Sequence, residues 1–158
     1  MGLVKRKLKG RVAGVAIVGV AVIGVYSLLR GQSSEQPPRS VWDGVYSEEQ
    51  AKRGDELSRR ECAACHGDGL TGGEAAPPLV GGAFLANWDG LTVGDLFERI
   101  RKTMPQDDPK RLSSQQDADI LAYMLRLNDF PTGKTELERR AELLKQIRLE
   151  AAKPEKKK

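Results

Sequence analysis

The feature that most constrains this chain is a five-residue segment that holds both of its cysteines and its single histidine. Cys62, Cys65 and His66 stand in the order Cys-Ala-Ala-Cys-His, and the 158-residue sequence contains no other cysteine or histidine. Two thiols three residues apart on a helical turn can each add to one vinyl group of a porphyrin, and the adjacent imidazole is then held beneath the iron. The pattern predicts the covalent attachment of one haem c.

Three other uses of this segment are weaker. A thioredoxin-like redox pair needs a strand–helix–strand setting, and the sequence around Cys62 shows none. A structural disulfide is possible in an exported protein. A tetrahedral zinc site would need a fourth ligand, and the chain has no further cysteine or histidine to supply it.

A six-coordinate haem iron needs a second axial ligand, and with one histidine it cannot be another imidazole of this chain. The candidates are a methionine, a lysine or water. Met124 lies in an apolar helical pattern typical of core packing, and Met1 precedes the apolar N-terminal segment. Met104 follows His66 by 38 residues, in a loop bounded by Pro105. We therefore expect Met104 and His66 to ligate the iron. Such ligation raises the reduction potential relative to stronger donors and closes the iron to substrates.

The N-terminal segment predicts a membrane helix. Residues 1–30 carry six Lys and Arg and no acids, and residues 12–29 form an 18-residue run without a charge. This length is near the lower limit for a bilayer-spanning helix, and the preceding basic residues favour a cytoplasmic N-terminus. We expect a single-pass anchor in the cytoplasmic (inner) membrane of a bacterium, with the rest of the chain in the periplasm or outside. A cleaved signal is the alternative, although no clear cleavage site follows the run.

The remaining sequence divides into three parts. Residues 31–45 contain Pro37-Pro38 and predict a linker. Residues 46–132 form the expected domain, in which 67–90 are rich in Gly, Pro and Ala and predict a loop. Residues 133–158 predict a charged amphipathic helix over 136–152 and a basic tail.

Within the domain, polar residues predict the beginnings of three helices, the first of them by a capping-box pattern. The predicted caps and their partners are Ser47 with Gln50, Thr92 with Asp95, and Ser113 or Ser114 before an apolar helix.

Charge is distributed unevenly along the chain. Residues 41–132 hold 10 Lys and Arg against 16 Asp and Glu, whereas residues 133–158 hold nine against five. A nucleic-acid-binding domain would present a basic face, so the acidic middle argues against that class. It predicts instead a protein partner with a basic patch.

Residues 46–130 resemble a class I cytochrome c of the small, membrane-anchored bacterial kind. The resemblance rests on Gly54 in the first helix, Cys62-Ala-Ala-Cys-His66-Gly67, Pro77-Pro78-Leu79, Thr103-Met104-Pro105 and Asp119-Ile-Leu-Ala-Tyr123-Met124. It implies an all-α fold of three to five helices wrapped around one covalent haem, after an N-terminal transmembrane helix.

The resemblance also implies roles for single residues. Gly54 should meet the C-terminal helix near Ile120 and Tyr123 so that the two helices cross closely. The family often has an aromatic residue four positions after this glycine, where this chain has Ser58. Leu57 can cover part of the missing contact.

Three further positions are implied around the haem. The carbonyl of Pro77 should accept the ring N–H of His66 and fix its orientation. Leu79 should line the haem pocket. Trp88 is similar in placement to a residue that reaches a haem propionate, and loop packing is its alternative role.

The function expected from these residues is electron transfer by a carrier, not an enzyme. The chain would shuttle single electrons between a redox donor and an acceptor protein of the membrane or periplasm. The alternative is a resident haem subunit of a membrane dehydrogenase or oxidase complex. A haem peroxidase would need an open iron and a distal acid–base group, and a haem sensor would usually carry an output domain.

Overall fold

The structure is a computed structural model that describes Gly2 and residues 39–155. The expected anchor, residues 12–29, lies outside the described residues, as does most of the expected linker, residues 31–45. Among the residues described, no helix is both long and apolar enough to cross a membrane. The chain divides into Met1–Glu35 and Gln36–Lys158, and residues 39–155 belong to the second unit.

The described part is mainly helical. It has six α-helices and one pair of two-residue strands. In chain order the elements are β1 (Arg39–Ser40), α1 (Glu48–Glu61), α2 (Ala63–His66), α3 (Gly81–Trp88), α4 (Val93–Thr103), α5 (Ser114–Leu127), α6 (Ala141–Leu144) and β2 (Ile147–Arg148). Single 3₁₀ turns occupy Val41–Asp43 and Asp68–Leu70. The described part thus fits the expected all-α class. Its six helices are one more than the three to five expected, and two of them, α2 and α6, are only one turn long.

The three predicted helix starts are found. Thr92 and Asp95 form a reciprocal capping box at α4, and Ser113 forms one with Gln116 at α5. At α1 only half of the box forms: the Ser47 hydroxyl accepts a hydrogen bond from the Gln50 backbone N–H at 3.2 Å. The Gln50 side chain bonds elsewhere, as described below. These caps satisfy backbone donors that lack a partner within the helix.

Helices α1 and α5 cross at Gly54. A β-carbon there would overlap the backbone carbonyl of Asp119 and contact the Tyr123 side chain at 2.8 Å. The absence of a side chain therefore lets the two helices approach closely, near the residues that the resemblance indicated. The core of the domain is mainly apolar and includes Leu57, Phe97 and Leu121, which are at most 7% exposed.

The loop prediction for residues 67–90 is wrong in its last part, where α3 forms. The sequence of α3 begins Gly-Gly-Ala, which has low helix propensity and no side-chain cap. Tertiary packing offsets this weakness, because Phe84 is buried to 5% exposure and Leu85 and Trp88 lie against the core. The N-terminus of the helix is also held by Asn128, whose side-chain oxygen accepts the Gly81 N–H at 2.9 Å.

The helix predicted over residues 136–152 is also wrong. The segment of residues 136–151, here called the C-terminal strap, runs over the domain with one helical turn, α6, followed by β2. Its buried residues are Leu137, Leu144, Ile147 and Leu149, and their spacing of seven, three and two does not fit one helical face. Their backbone groups bond instead to other parts of the domain.

Two sets of hydrogen bonds hold the strap. The buried Gln50 side chain donates to the Leu137 carbonyl at 3.1 Å and accepts the Leu137 N–H at 2.6 Å. Further along, β2 pairs in parallel with β1, and Leu149 exchanges backbone hydrogen bonds with Gly90 and Leu91, each at 2.9 Å. These partners are distant in sequence, so helical periodicity could not indicate them.

Candidate functional site

The Cys-Ala-Ala-Cys-His segment lies at a break between two helices. Cys62 ends α1 with φ −121° and ψ −34°, and its carbonyl accepts the backbone N–H of Cys65 at 3.2 Å and of His66 at 2.9 Å. The two thiols and the imidazole therefore lie next to one another along one helical turn. The thiols are free; Cys62 is partly buried and Cys65 is exposed. Burial raises the pKa of the Cys62 thiol to about 11, so it is protonated at neutral pH.

The imidazole of His66 has a defined orientation. The ring is only 7% exposed, and Nδ1 lies 2.8 Å from the carbonyl oxygen of Pro77. A carbonyl oxygen only accepts hydrogen bonds, so Nδ1 carries the proton in this contact. The other nitrogen, Nε2, therefore keeps a lone pair that can bind a metal.

The loop that carries Pro77 is held close to the imidazole. Its backbone is connected by the hydrogen bonds Gly72 N–H to His66 O at 2.7 Å and Leu79 N–H to Leu70 O at 2.9 Å. Gly72 has φ +87°, and a β-carbon there would lie 2.7 Å from the Pro78 nitrogen. Glycine is required at this position because both the backbone angle and the space exclude a side chain.

A cavity of about 530 Å³ lies against this segment. Cys62, Cys65, His66 and Met104 all line it. Most of the remaining wall is apolar; Leu79, Ile100, Leu112, Ile120 and Met124 contribute to it. The volume is in the usual range for cofactor pockets, ~300–1,000 Å³. A nitrogen donor, a thioether and two thiols in an apolar cavity form the donor set that a covalently attached haem requires, so these residues fit the group.

Met104 reaches the cavity from the end of α4. Its backbone is extended, with φ −128° and ψ 148°, while its N–H still bonds to the Ile100 carbonyl at 2.8 Å. This is the extended geometry that a proline imposes on the residue before it. The peptide bond between Met104 and Pro105 is cis. Met124, the alternative methionine, lines the same cavity but is 1% exposed in the last turn of α5.

The other predicted positions separate into two groups. Leu79 lines the cavity, and the Pro77 carbonyl reaches His66 from just outside its wall. Trp88 is not among the described residues that line the cavity. Its ring lies beside Phe84, with 6.2 Å between ring centroids, and packs against the core.

Sequence reasoning missed an arginine in the cavity wall. Arg111 lines the cavity and forms ion pairs with Glu61 at 3.0 Å and with Asp107 at 2.8 Å. The spacing of four between Asp107 and Arg111 is a weak signal for such a pair. Nothing in the sequence indicated Glu61, which is 50 residues away.

Sequence reasoning also missed a buried carboxylate on α5, that of Asp117. Asp117 is 1% exposed and pairs with Arg101, with 2.8 Å between Nη1 and Oδ2. Its second oxygen, Oδ1, is buried without a hydrogen-bond partner among the described residues. Desolvation raises the pKa of Asp117 to about 6 despite the nearby guanidinium.

A match to a family model supports this description. Residues 49–124 match the family model described as "Cytochrome C oxidase, cbb3-type, subunit III". One solved structure with a similar chain is the sulfane dehydrogenase SoxCD from Paracoccus pantotrophus. The match has 23% sequence identity and a TM-score of 0.48, and it covers 68% of this chain and 61% of that one. No curated protein matches the sequence.

Proposed function

Because residues 49–124 form a class I cytochrome c domain that carries one covalently bound haem c, we propose that this chain transfers single electrons between redox proteins through an iron ligated by His66 and Met104. The observation that carries this proposal is the joint placement of four side chains, Cys62, Cys65, His66 and Met104, on the wall of one apolar cavity. When bound, the haem supplies a one-electron iron couple.

The residues of the chain have distinct tasks in this mechanism. Cys62 and Cys65 would hold the group by thioether bonds, so that it would stay bound in both oxidation states. His66 presents Nε2 because Pro77 holds the proton on Nδ1. The thioether of Met104 would be a softer second donor than an imidazole and would favour the reduced state. The apolar wall, including Leu79 and Ile120, excludes water and lowers the local polarity.

Two ways of working are open to such a carrier. A mobile shuttle would bind each partner briefly at the exposed side of the cavity, near Cys65, with the acidic charge of residues 41–132 attracting a basic surface. The second candidate is a resident haem subunit of a membrane dehydrogenase or oxidase complex. The description of the matching family as an oxidase subunit favours this candidate.

We include a membrane attachment in the proposal. The support is the sequence alone: an uncharged run over residues 12–29 after five basic residues. The haem domain would then lie in the periplasm or outside the cell. Cell fractionation tests this attachment. It compares cells that express the full chain with cells that express a variant in which a cleavable secretory signal replaces residues 1–30. Equal release of both into the soluble periplasmic fraction would reject the anchor.

Optical spectroscopy of the purified holoprotein tests the ligation. We expect wild type to be low-spin, with a sulfur-to-iron band in the oxidised state, and Met104→Ala to lose this band. Met124→Leu is the matched control, because it replaces the other methionine of the cavity with a residue of similar size. It should keep the band.

The contrary result is equally clear. If oxidised wild type is high-spin, and its reduced form binds carbon monoxide as readily as Met104→Ala does, the iron is open. The carrier hypothesis would then give way to a catalyst or sensor.

A further inference from the structure

Arg111 connects two walls of the cavity. Its Nε lies 3.0 Å from Oε2 of Glu61, and its Nη1 lies 2.8 Å from Oδ2 of Asp107. Glu61 is the last residue of α1 and directly precedes Cys62. Asp107 lies three residues after Met104. One guanidinium therefore joins the helix that carries the first haem-attaching cysteine to the loop that follows the methionine.

The segment of residues 104–112, here called the methionine loop, is buried near its two ends, at Pro105 and Leu112. Within the loop, the Asp108 N–H bonds to Pro105 O and the Arg111 N–H to Asp108 O, both at 3.1 Å. Leu112 is 8% exposed and anchors the end of the loop in the core. Between these points Gln106, Asp107 and Asp108 are exposed. The contact of Arg111 with Glu61 thus links the end of the loop to the attachment helix, and the ion pair with Asp107 connects the exposed middle of the loop to the same guanidinium.

The ion pair between Arg111 and Glu61 is partly shielded from water. Its side chain is 39% exposed and that of Glu61 is 21% exposed, whereas that of Asp107 is 72% exposed. An ion pair between less exposed groups is screened less, so the bond to Glu61 contributes more than the bond to Asp107. Arg111 also lines the cavity itself, next to the apolar residues that close it.

We propose that Arg111 is a positioning residue that holds the methionine loop against the end of α1 and thereby sets how readily Met104 leaves the iron. This inference rests on the proposed ligation by Met104. The guanidinium stabilises the closed loop more than the open one, because opening separates Arg111 from Glu61. Loss of the two ion pairs should raise the population of the open loop by about three- to tenfold.

Binding of imidazole to the oxidised holoprotein measures this population. Imidazole takes the iron position only when the methionine is away, so its apparent affinity scales with the open fraction. We expect Arg111→Gln to bind imidazole about three- to tenfold more tightly than wild type and to keep the sulfur-to-iron band at neutral pH without imidazole. Glu61→Gln should have most of this effect, and the double variant no more than Arg111→Gln alone. Arg111→Lys should restore part of the wild-type value.

Arg59→Gln is the matched control. Arg59 lies on α1, the helix that ends at Glu61, and pairs with Asp55 at 2.9 Å, but its side chain is 75% exposed and it does not line the cavity. Its imidazole affinity should equal that of wild type. This control separates the bridging role of Arg111 from a general effect of removing one positive charge.

Two outcomes would overturn different statements. If Arg111→Gln and Glu61→Gln both bind imidazole as wild type does, while Met104→Ala binds it far more tightly, the positioning role is wrong and the ligation stands. If Met104→Ala binds imidazole no more tightly than wild type, Met104 is not the ligand and both proposals fail. Should Arg111→Gln not accumulate as holoprotein, Glu61→Gln alone decides the positioning role by the same comparison.

Discussion

Gly54 lies directly against the backbone carbonyl of Asp119, with no space between them for a β-carbon. This contact fixes the crossing of α1 and α5. Helix α1 leads to the cysteines and His66, and α5 supplies Ile120 and Met124 to the cavity wall. The crossing therefore sets the distance between the attachment segment and one wall of the site.

Gly54→Ala should lower the free energy of unfolding of the holoprotein by about 2 kcal/mol or more, because the backbone of one helix must move away from the other. Urea unfolding measures this change. Gly82→Ala is the control: Gly82 lies within α3, and a β-carbon there meets no atom within 4 Å. That variant should be unchanged or up to ~1 kcal/mol more stable. Equal effects of the two substitutions would contradict the close crossing.

Asp117→Asn tests the buried carboxylate. The pKa of Asp117 is about 6 in the folded protein, above the value of ~3.9 for an unfolded chain. The group therefore favours folding below pH ~4, and this contribution is lost as the pH rises through about 6. Relative to Asp117→Asn, wild type should lose about 2 to 3 kcal/mol of stability between pH 4 and 7.

Urea unfolding of both proteins across this pH range measures the difference. Asp117→Asn retains an oxygen that can accept a hydrogen bond from Arg101, and it removes the negative charge together with the titration. A difference between the two proteins that stays constant from pH 4 to 7 would show that the carboxylate titrates normally. Glu142→Gln, which changes an exposed carboxylate on α6, gives the reference for removal of a charge at the surface.

Gln50→Ala should loosen the C-terminal strap. The substitution leaves the N–H and the carbonyl of Leu137 without their partner in a buried position, which costs about 2 to 4 kcal/mol for the two groups. We expect lower stability in urea and faster proteolytic cleavage within residues 136–151. Gln146→Ala changes an exposed glutamine of the same strap and should stay within ~0.5 kcal/mol of wild type. Unchanged cleavage in Gln50→Ala would mean that the apolar contacts hold the strap without this clamp.

Substitution of the cysteines tests the covalent attachment separately from ligation. After extraction with acidified acetone, haem should stay with wild type and be removed from Cys62→Ala/Cys65→Ala. Each single variant should retain haem through one thioether bond, and its reduced absorption band should shift to longer wavelength because one vinyl group stays unsaturated. Removal of haem from either single variant would show that the remaining cysteine forms no bond.

Local sequence patterns predicted the local structure well. The capping residues Thr92 and Ser113 start their helices, and Pro105 forces Met104 to be extended. Both effects act within four residues, so the sequence contains all the interacting groups. The glycine-rich start of α3 gave no helical signal, because that helix forms through burial of Phe84 against distant residues. Residues 136–152 have a helical sequence pattern, but their backbone forms hydrogen bonds with Gln50 and β1 in place of a continuous helix.

The sequence by itself determined the chemistry of this protein: two thiols and one imidazole in five residues permit covalent attachment of a haem, and the prediction of a class I cytochrome c with one haem c is confirmed. Only the tertiary structure decided which distant groups meet at the site. It brought Pro77 to His66, Met104 to the same cavity and Arg111 to Glu61. The physical reason is that motif chemistry depends on neighbouring residues, whereas these contacts depend on how the helices cross and where the loops are anchored.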